Sequence, residues 1–395
     1  MSSPDAARPD QGPLTGVLVL DLTRALAGPH AAMMLGDLGA RVIKVETPNG
    51  GDDSRGWGPP FVGEGDQRQS TYFMSANRNK ESLTLDLKDD ADKEVLAELV
   101  RRADVLMENF RVGVLDRLGF SVERLHELNP RLVVLSITGF GHDGPEAKRA
   151  GYDQIAQGEG GLMSITGEHE PTKVGVPIAD LLAGMNGAYG VVAALFERER
   201  TGRGRVVRTS LLASVVGVHA FQGTRWTVGH DVPGRSGNHH AAIAPYGMYA
   251  TASAPVQVAC GSEGLWQRFA AAIGLDAADP RFATNSDRVA HRDALTAEIE
   301  GVFAGAEAEH WLELLSGAGV PSGKVRSIDD VYAWDQTISQ GLLLDVEHPV
   351  LGALQLPGSP LRFDDNGFSG GRSTHQPPPM LGEHDDAIRA ELGKS

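Results

Sequence analysis

From Leu14 onward the chain alternates short apolar runs with stretches of helical spacing, and this alternation restricts the fold more than any single residue does. Val17–Leu22 (VLVLDL) follows Gly16 and reads as a strand. The segment TRALAGPHAAMMLGDLGA then carries apolar residues at helical intervals and stops at Gly39. Arg41–Glu46 (RVIKVE) is a second strand, Ser82–Leu87 (SLTLDL) a third, Ala103–Phe110 (ADVLMENF) a fourth and Leu132–Gly141 (LVVLSITGFG) a fifth, with a helix over Asp90–Arg102. Strands separated by helices of about 10–15 residues imply right-handed crossovers and parallel pairing. The expected fold class is α/β, with a doubly wound, mostly parallel, Rossmann-like sheet in a large domain. The loop GGDDSRGWGPP after the second strand is too long for a tight connection and is expected to be functional.

A long helix is predicted over Asp180–Arg200, ended by the glycines of TGRGRVV; Gly175 and Pro177 in the preceding turn put Asp180 at or just before its N-terminus. Past Gly223 the chain becomes loop-rich, then offers the short strand QVACG and helices over Glu263–Ile273 and Arg292–Ala304, the pattern of a smaller α+β domain. The expected division is a disordered lead at 1–12, a large domain at 13–222, a small domain at 223–328, and a return to the large domain at 329–395.

With 395 residues, 41% hydrophobic and 22% charged, the chain can bury a sizeable core. A net charge of −16 argues against nucleic-acid or anionic-membrane partners, so a polyanionic ligand has to find local basic and backbone-amide groups. A single cysteine, Cys260, excludes an intramolecular disulfide and suits a reducing compartment. The polar N-terminus has no basic region leading into an apolar one, and no stretch reaches about 18 uninterrupted apolar residues. A cytoplasmic location is expected.

The strand–turn–helix start invites a search for dinucleotide chemistry, but the turn reads DLTRALAGPH without G-x-G-x-x-G, and the chain has no G-x-x-x-x-G-K-[ST]. One cysteine rules out thiolate clusters, and the 13 histidines include no H-E-x-x-H pair, so no metal site is expected. His239 and His240 are adjacent and would point to opposite sides of an extended segment.

Six ordered segments carry a family likeness: Pro13–Trp57, Asn79–Lys88, Ala103–Phe120, Ser136–Gly141, Gly151–Gly167 and Val174–Val207. Together they resemble the class III CoA-transferases, the family of formyl-CoA transferase and carnitine CoA-transferase. The resemblance implies that Asp180, in VGVPIADLLAG, is the nucleophile that attacks an acyl-CoA thioester, where position alone would make it a helix N-cap. At its ordinary pKa of about 3.9 an aspartate is already ionised at neutral pH and requires no general base. It further implies CoA contacts at Ala25 and Ala27, at Leu85 and Lys88 of LDLK, at Asn109 and Phe110 of ENF, at Arg117 of LDRLGF, and at Tyr152. Leu26 stands where the formyl and oxalyl transferases carry a glutamine, which disfavours those acyl groups. Coenzyme A is implied as a substrate, with no permanently bound cofactor.

The same family includes 2-methylacyl-CoA racemases, whose catalytic histidine falls where this chain has Tyr152. A tyrosine, with a pKa of about 10, is a poor α-proton base, so racemisation becomes the alternative reading and transfer the first. Asp153 beside it reads as a helix-start residue. A CoA-binding sensor without turnover is the reading from another class. The run Gly237–Tyr249 resembles family members acting on succinate, itaconate, mesaconate, malate or citramalate; His239, His240 or Arg235 would meet the second carboxylate through a charge-assisted contact. The resemblance also implies an interlocked homodimer.

Overall fold

The computed structural model describes residues 12–363 and 369–393, so all but Gly12 of the expected N-terminal lead lies outside the described residues. Two compact units emerge. Of the described residues, the first takes those before 163, 174–229 and those from 334 on, and the second 163–173 and 230–333. The sequence reading divides the chain at 222 and 328; the units divide at 229 and 333, and the excursion of 163–173 into the second unit has no compositional signature.

The first unit is built on six strands, β1 (Leu18–Asp21), β2 (Arg41–Glu46), β3 (Lys80–Thr84), β4 (Val105–Glu108), β5 (Val133–Thr138) and β6 (Val206–Ser210), every adjacent pair parallel, in the order β3-β2-β1-β4-β5-β6. This is the doubly wound order in which the winding reverses between β1 and β4, leaving a crevice beyond their carboxyl ends. Its main helices are α1 (Ala27–Asp37), α2 (Asp90–Arg102), α3 (Asp153–Glu159) and α4 (Ile178–Thr201).

Strand alternation fills both faces. Val19, Val42, Val105, Val133 and Leu135 pack with Ala31 and Leu35 of α1 and Ala183 and Val191 of α4. Leu20, Ile43, Leu83, Leu106 and Val134 pack on the other side with Leu96, Leu99 and Val100 of α2. Two readings shift. The third strand begins two residues earlier than its apolar run because Lys80, fully buried, is ion-paired to Asp21 at 2.9 Å and so fits inside a sheet. The sixth strand follows Gly202, which takes φ +70° at the C-cap of α4; its half-buried edge pattern left it unread.

Among the described helices, α4 alone is long and apolar enough to cross a membrane by length and composition. Here Ala179, Ala183, Gly187, Ala188 and Val191 are buried against α1 and the sheet, as in a core helix. Gly184 permits the approach: a Cβ there would lie 2.6 Å from the carbonyl oxygen of Ala27.

The second unit carries a three-stranded antiparallel sheet, with Val256–Ala259 between Tyr246–Tyr249 and Ser322–Lys324. Helices Glu263–Ile273, Arg292–Phe303 and Ala308–Gly317 surround an aromatic core in which Phe303 stacks on Trp311 at 4.8 Å. Cys260 is buried there, and burial pushes its thiol up to about 12.

Candidate active site

At the crevice beyond β1 and β4 the first unit has a cleft of about 450 Å³. The loop after β1 contributes Arg24–Ala27, the loop after β4 Asn109–Val112, and the end of β5 Thr138 and Gly139. Asp180 lies in this cleft in the first turn of α4, third residue of a helix whose N-cap is Pro177. Asp180 therefore stands at the helix N-terminus, as expected, but two residues inside its start and not as the cap. Its carboxylate makes no hydrogen bond or ion pair with a described protein group.

The cap comes from α3. The Asp153 Oδ1 accepts from the Ala179 backbone N–H at 2.8 Å, while its Oδ2 accepts from Gln157 Nε2 at 2.7 Å. Gln157 Oε1 in turn accepts from the Val174 N–H at 2.9 Å, so α3 clamps the segment that leads into α4. Two carboxylates thereby face one cleft. Burial, reinforced by the charge of Asp153, pushes Asp180 up to about 7. This corrects the expectation of a fully ionised nucleophile: near neutral pH the carboxyl is divided between its two forms, because ordinary values describe a hydrated side chain.

Tyr72 and Trp57 line the same wall, their rings meeting edge-on with centroids 4.9 Å apart. Burial, then the charges of Asp180, Asp153 and Asp52, pushes the Tyr72 phenol up to about 12, which keeps its proton in place as a donor. Neither aromatic emerges from the sequence as a site residue; the only signal is the long loop that ends near Trp57. Arg24, Arg111 and Lys148 supply positive charge around the cleft and were likewise unread.

Of the residues predicted to meet CoA, Ala25, Ala27, Asn109, Phe110 and Tyr152 line the Asp180 cleft, Tyr152 at 69% exposure. Leu85 and Lys88 line a second cleft of about 390 Å³, which shares Arg24 and Phe110 with the first. Arg117 is exposed on the turn Val114–Arg117, whose Val114 lines that second cleft. Asn109 works as a clamp on the loop: its Oδ1 accepts from the Arg24 N–H at 2.9 Å and its Nδ2 donates to the Arg24 carbonyl at 2.8 Å.

His239 and His240 line a cleft of about 530 Å³ within the second unit. His239 meets Tyr249 edge-on at 5.5 Å and His240 lies tilted over Tyr246 at 5.1 Å. Burial, with Arg292 adding to it, holds His239 below the usual imidazole range, so near neutral pH it would meet a carboxylate through a neutral N–H. Arg235 is exposed and donates to the His169 carbonyl at 3.2 Å.

The family described as CoA-transferase family III matches residues 14–385. An acetyl-CoA:oxalate CoA-transferase of Acetobacter aceti is 39% identical over 99% of this chain and 98% of its own. A succinate–glutarate CoA-transferase of Agrobacterium fabrum is 39% identical over 96% of each chain. The crystal structure of a CAIB/BAIF family protein from Brucella suis superposes with a TM-score of 0.86 at 41% identity, covering 97% of this chain and 100% of that one.

Proposed function

The chain belongs to CoA-transferase family III, and from that premise we propose that it exchanges CoA between an acyl-CoA and a small dicarboxylic acid through covalent intermediates on Asp180. The observation that carries this reading is an unpartnered, half-buried carboxylate in the crevice of a doubly wound sheet, raised to about 7 and surrounded by residues matching the family's CoA contacts.

In its ionised form an Asp180 oxygen attacks the thioester carbonyl, the carbon–sulfur bond breaks, and a mixed anhydride and CoA thiolate result. The thiolate attacks the aspartyl carbonyl of the anhydride, releasing the donor acid and leaving an aspartyl-CoA thioester. An acceptor carboxylate then displaces the thiolate from Asp180. The thiolate attacks the acceptor side of the new anhydride, giving the product acyl-CoA and free Asp180. One thioester replaces another, so no nucleotide hydrolysis has to drive the exchange. Each tetrahedral oxyanion needs preorganised donors, and the supply proposed for them is the backbone N–H groups at the start of α1, whose residue Ala27 lines the cleft. Arg24, Arg111 and Lys148 offer countercharges for phosphate or for a second carboxylate.

The dicarboxylate class is supported by the oxalate and glutarate in the relatives' names and by the Gly237–Tyr249 run. Incubation with succinyl-CoA and a panel of oxalate, glutarate, mesaconate, malate and monocarboxylates, followed by mass spectrometry of the CoA esters, tests it. Dicarboxylate esters are expected, with oxalate weak because Leu26 replaces a glutamine. Hydroxylamine should trap an adduct on Asp180, and Asp180→Ala should abolish exchange. Full exchange by Asp180→Ala would end the covalent reading, and tight CoA binding without turnover of any acid would establish a sensor instead.

A homodimer is part of the same proposal. Met185, Tyr189, Val192 and Phe196 recur at helical intervals on α4 and are 38–77% exposed, an apolar stripe that a second copy would cover.

A further inference from the structure

The loop that carries Ala25 into the cleft is held in a backbone conformation its residues do not favour. Ala25 has φ +68°, in the left-handed region that alanine rarely adopts. Such a conformation persists where the surroundings over-determine it, and here the backbone polar groups from the Thr23 N–H to the Ala25 N–H are each tied. The Thr23 carbonyl accepts from Lys44 Nζ at 2.9 Å, and the Thr23 N–H donates to Asp21 Oδ1 at 3.0 Å. Asn109 holds both backbone groups of Arg24. The Ala25 N–H donates to Asp52 Oδ1 at 3.1 Å.

Asp52 is the hub of this arrangement. Its Oδ1 also accepts from the Ser54 N–H at 2.9 Å and the Ser54 hydroxyl at 2.8 Å, while its Oδ2 pairs with Lys44 Nζ at 2.8 Å. Both charged side chains are fully excluded from water. One carboxylate thus ties the Asp53–Trp57 stretch after β2, part of which lines the cleft, to the Ala25 loop after β1. A buried ion pair is weak evidence of stabilisation, since removing charges from water offsets much of their attraction. What this pair does supply is direction: two fixed groups aimed at two consecutive stretches of one loop.

We propose that Asp52, anchored by Lys44, is a positioning residue for transfer, holding Ala25 in the left-handed conformation so that the Ala25–Ala27 backbone meets the acyl-CoA. This rests on the reading that acyl-CoA occupies the Asp180 cleft. Asp52 touches no reacting atom, and its effect passes through Ala25.

Three proteins test it: wild type, Asp52→Ala, and Asp52→Ala combined with Ala25→Gly. CoA affinity is titrated directly and the KM for succinyl-CoA is measured beside kcat. Asp52→Ala should weaken CoA binding and raise KM by at least about 10-fold, with a smaller change in kcat. Glycine adopts positive φ without a hold, so adding Ala25→Gly should recover most of the loss. An unchanged CoA affinity in Asp52→Ala, or a loss that Ala25→Gly does not recover, would overturn the proposal. Should the orphaned Lys44 prevent folding of Asp52→Ala, the Lys44→Met/Asp52→Ala pair removes both charges, and the same comparison with and without Ala25→Gly decides. Wild-type protein that binds no CoA would sink the functional reading together with this one, whereas wild-type binding with unaltered variants would remove only the role of Asp52.

Discussion

The chemistry assigned to Asp180 uses the ionised form of a carboxyl that resists ionisation. Burial, joined by the Asp153 charge, raises it to about 7, so kcat/KM for the acyl-CoA should climb about tenfold per pH unit below that value and level off above it. Asp153→Asn keeps an oxygen to accept the Ala179 N–H but removes the charge, and its profile should shift to lower pH by about one unit, as measured by initial rates. An unshifted profile would mean that burial alone sets the value. Linkage gives a second outcome. A carboxyl raised in the fold favours its protonated form there, so its ionisation weakens the fold progressively between the ordinary value near 3.8 and about 7, and fully above. Asp180→Asn should therefore melt higher than wild type at pH 8, by a few kcal/mol at most, with the gain vanishing near pH 4; thermal denaturation at the two pH values checks this. The identity of Asp180 was legible from its surrounding motif. Its protonation was not, because the burial that raises it, and the charge of Asp153 that adds to it from 27 residues earlier in the chain, both arise from packing.

At the scale of elements, α1 and α4 place the cleft. Their close crossing lets the first turn of α4 reach the loop after β1, and Gly184 is where a side chain would forbid it. Gly184→Val should destabilise the fold by about 1–3 kcal/mol in denaturant titration and reduce exchange more than tenfold in the protein that remains folded. Wild-type exchange would show that the crossing does not govern Asp180. Strong periodicity made α2 readable to the residue, Asp90–Arg102, and Glu263–Ile273 likewise. The β6 strand was not readable, since a half-buried edge strand of mixed polarity looks like the connection after a helix. Nor was the start of β3, where a buried lysine depends on Asp21, a residue from another strand.

For the molecule as a whole, the exposed stripe on α4 predicts self-association. Light scattering should give twice the mass of 41.9 kDa, and Phe196→Lys together with Tyr189→Lys should reduce it to that of one chain. A monomeric wild type would remove the homodimer from the proposal. The sequence by itself determined the α/β class, the positions of five of the six large-sheet strands and the family's motif around Asp180, because alternation, helical spacing and turn residues are local properties of the chain. Tertiary structure alone decided the raised carboxyl of Asp180, its capping neighbour Asp153, the aromatic wall of Trp57 and Tyr72, and the buried Lys44–Asp52 pair behind Ala25. Each of these depends on residues distant in the chain sharing one poorly hydrated space, where charges and hydrogen bonds act far more strongly than they do in water.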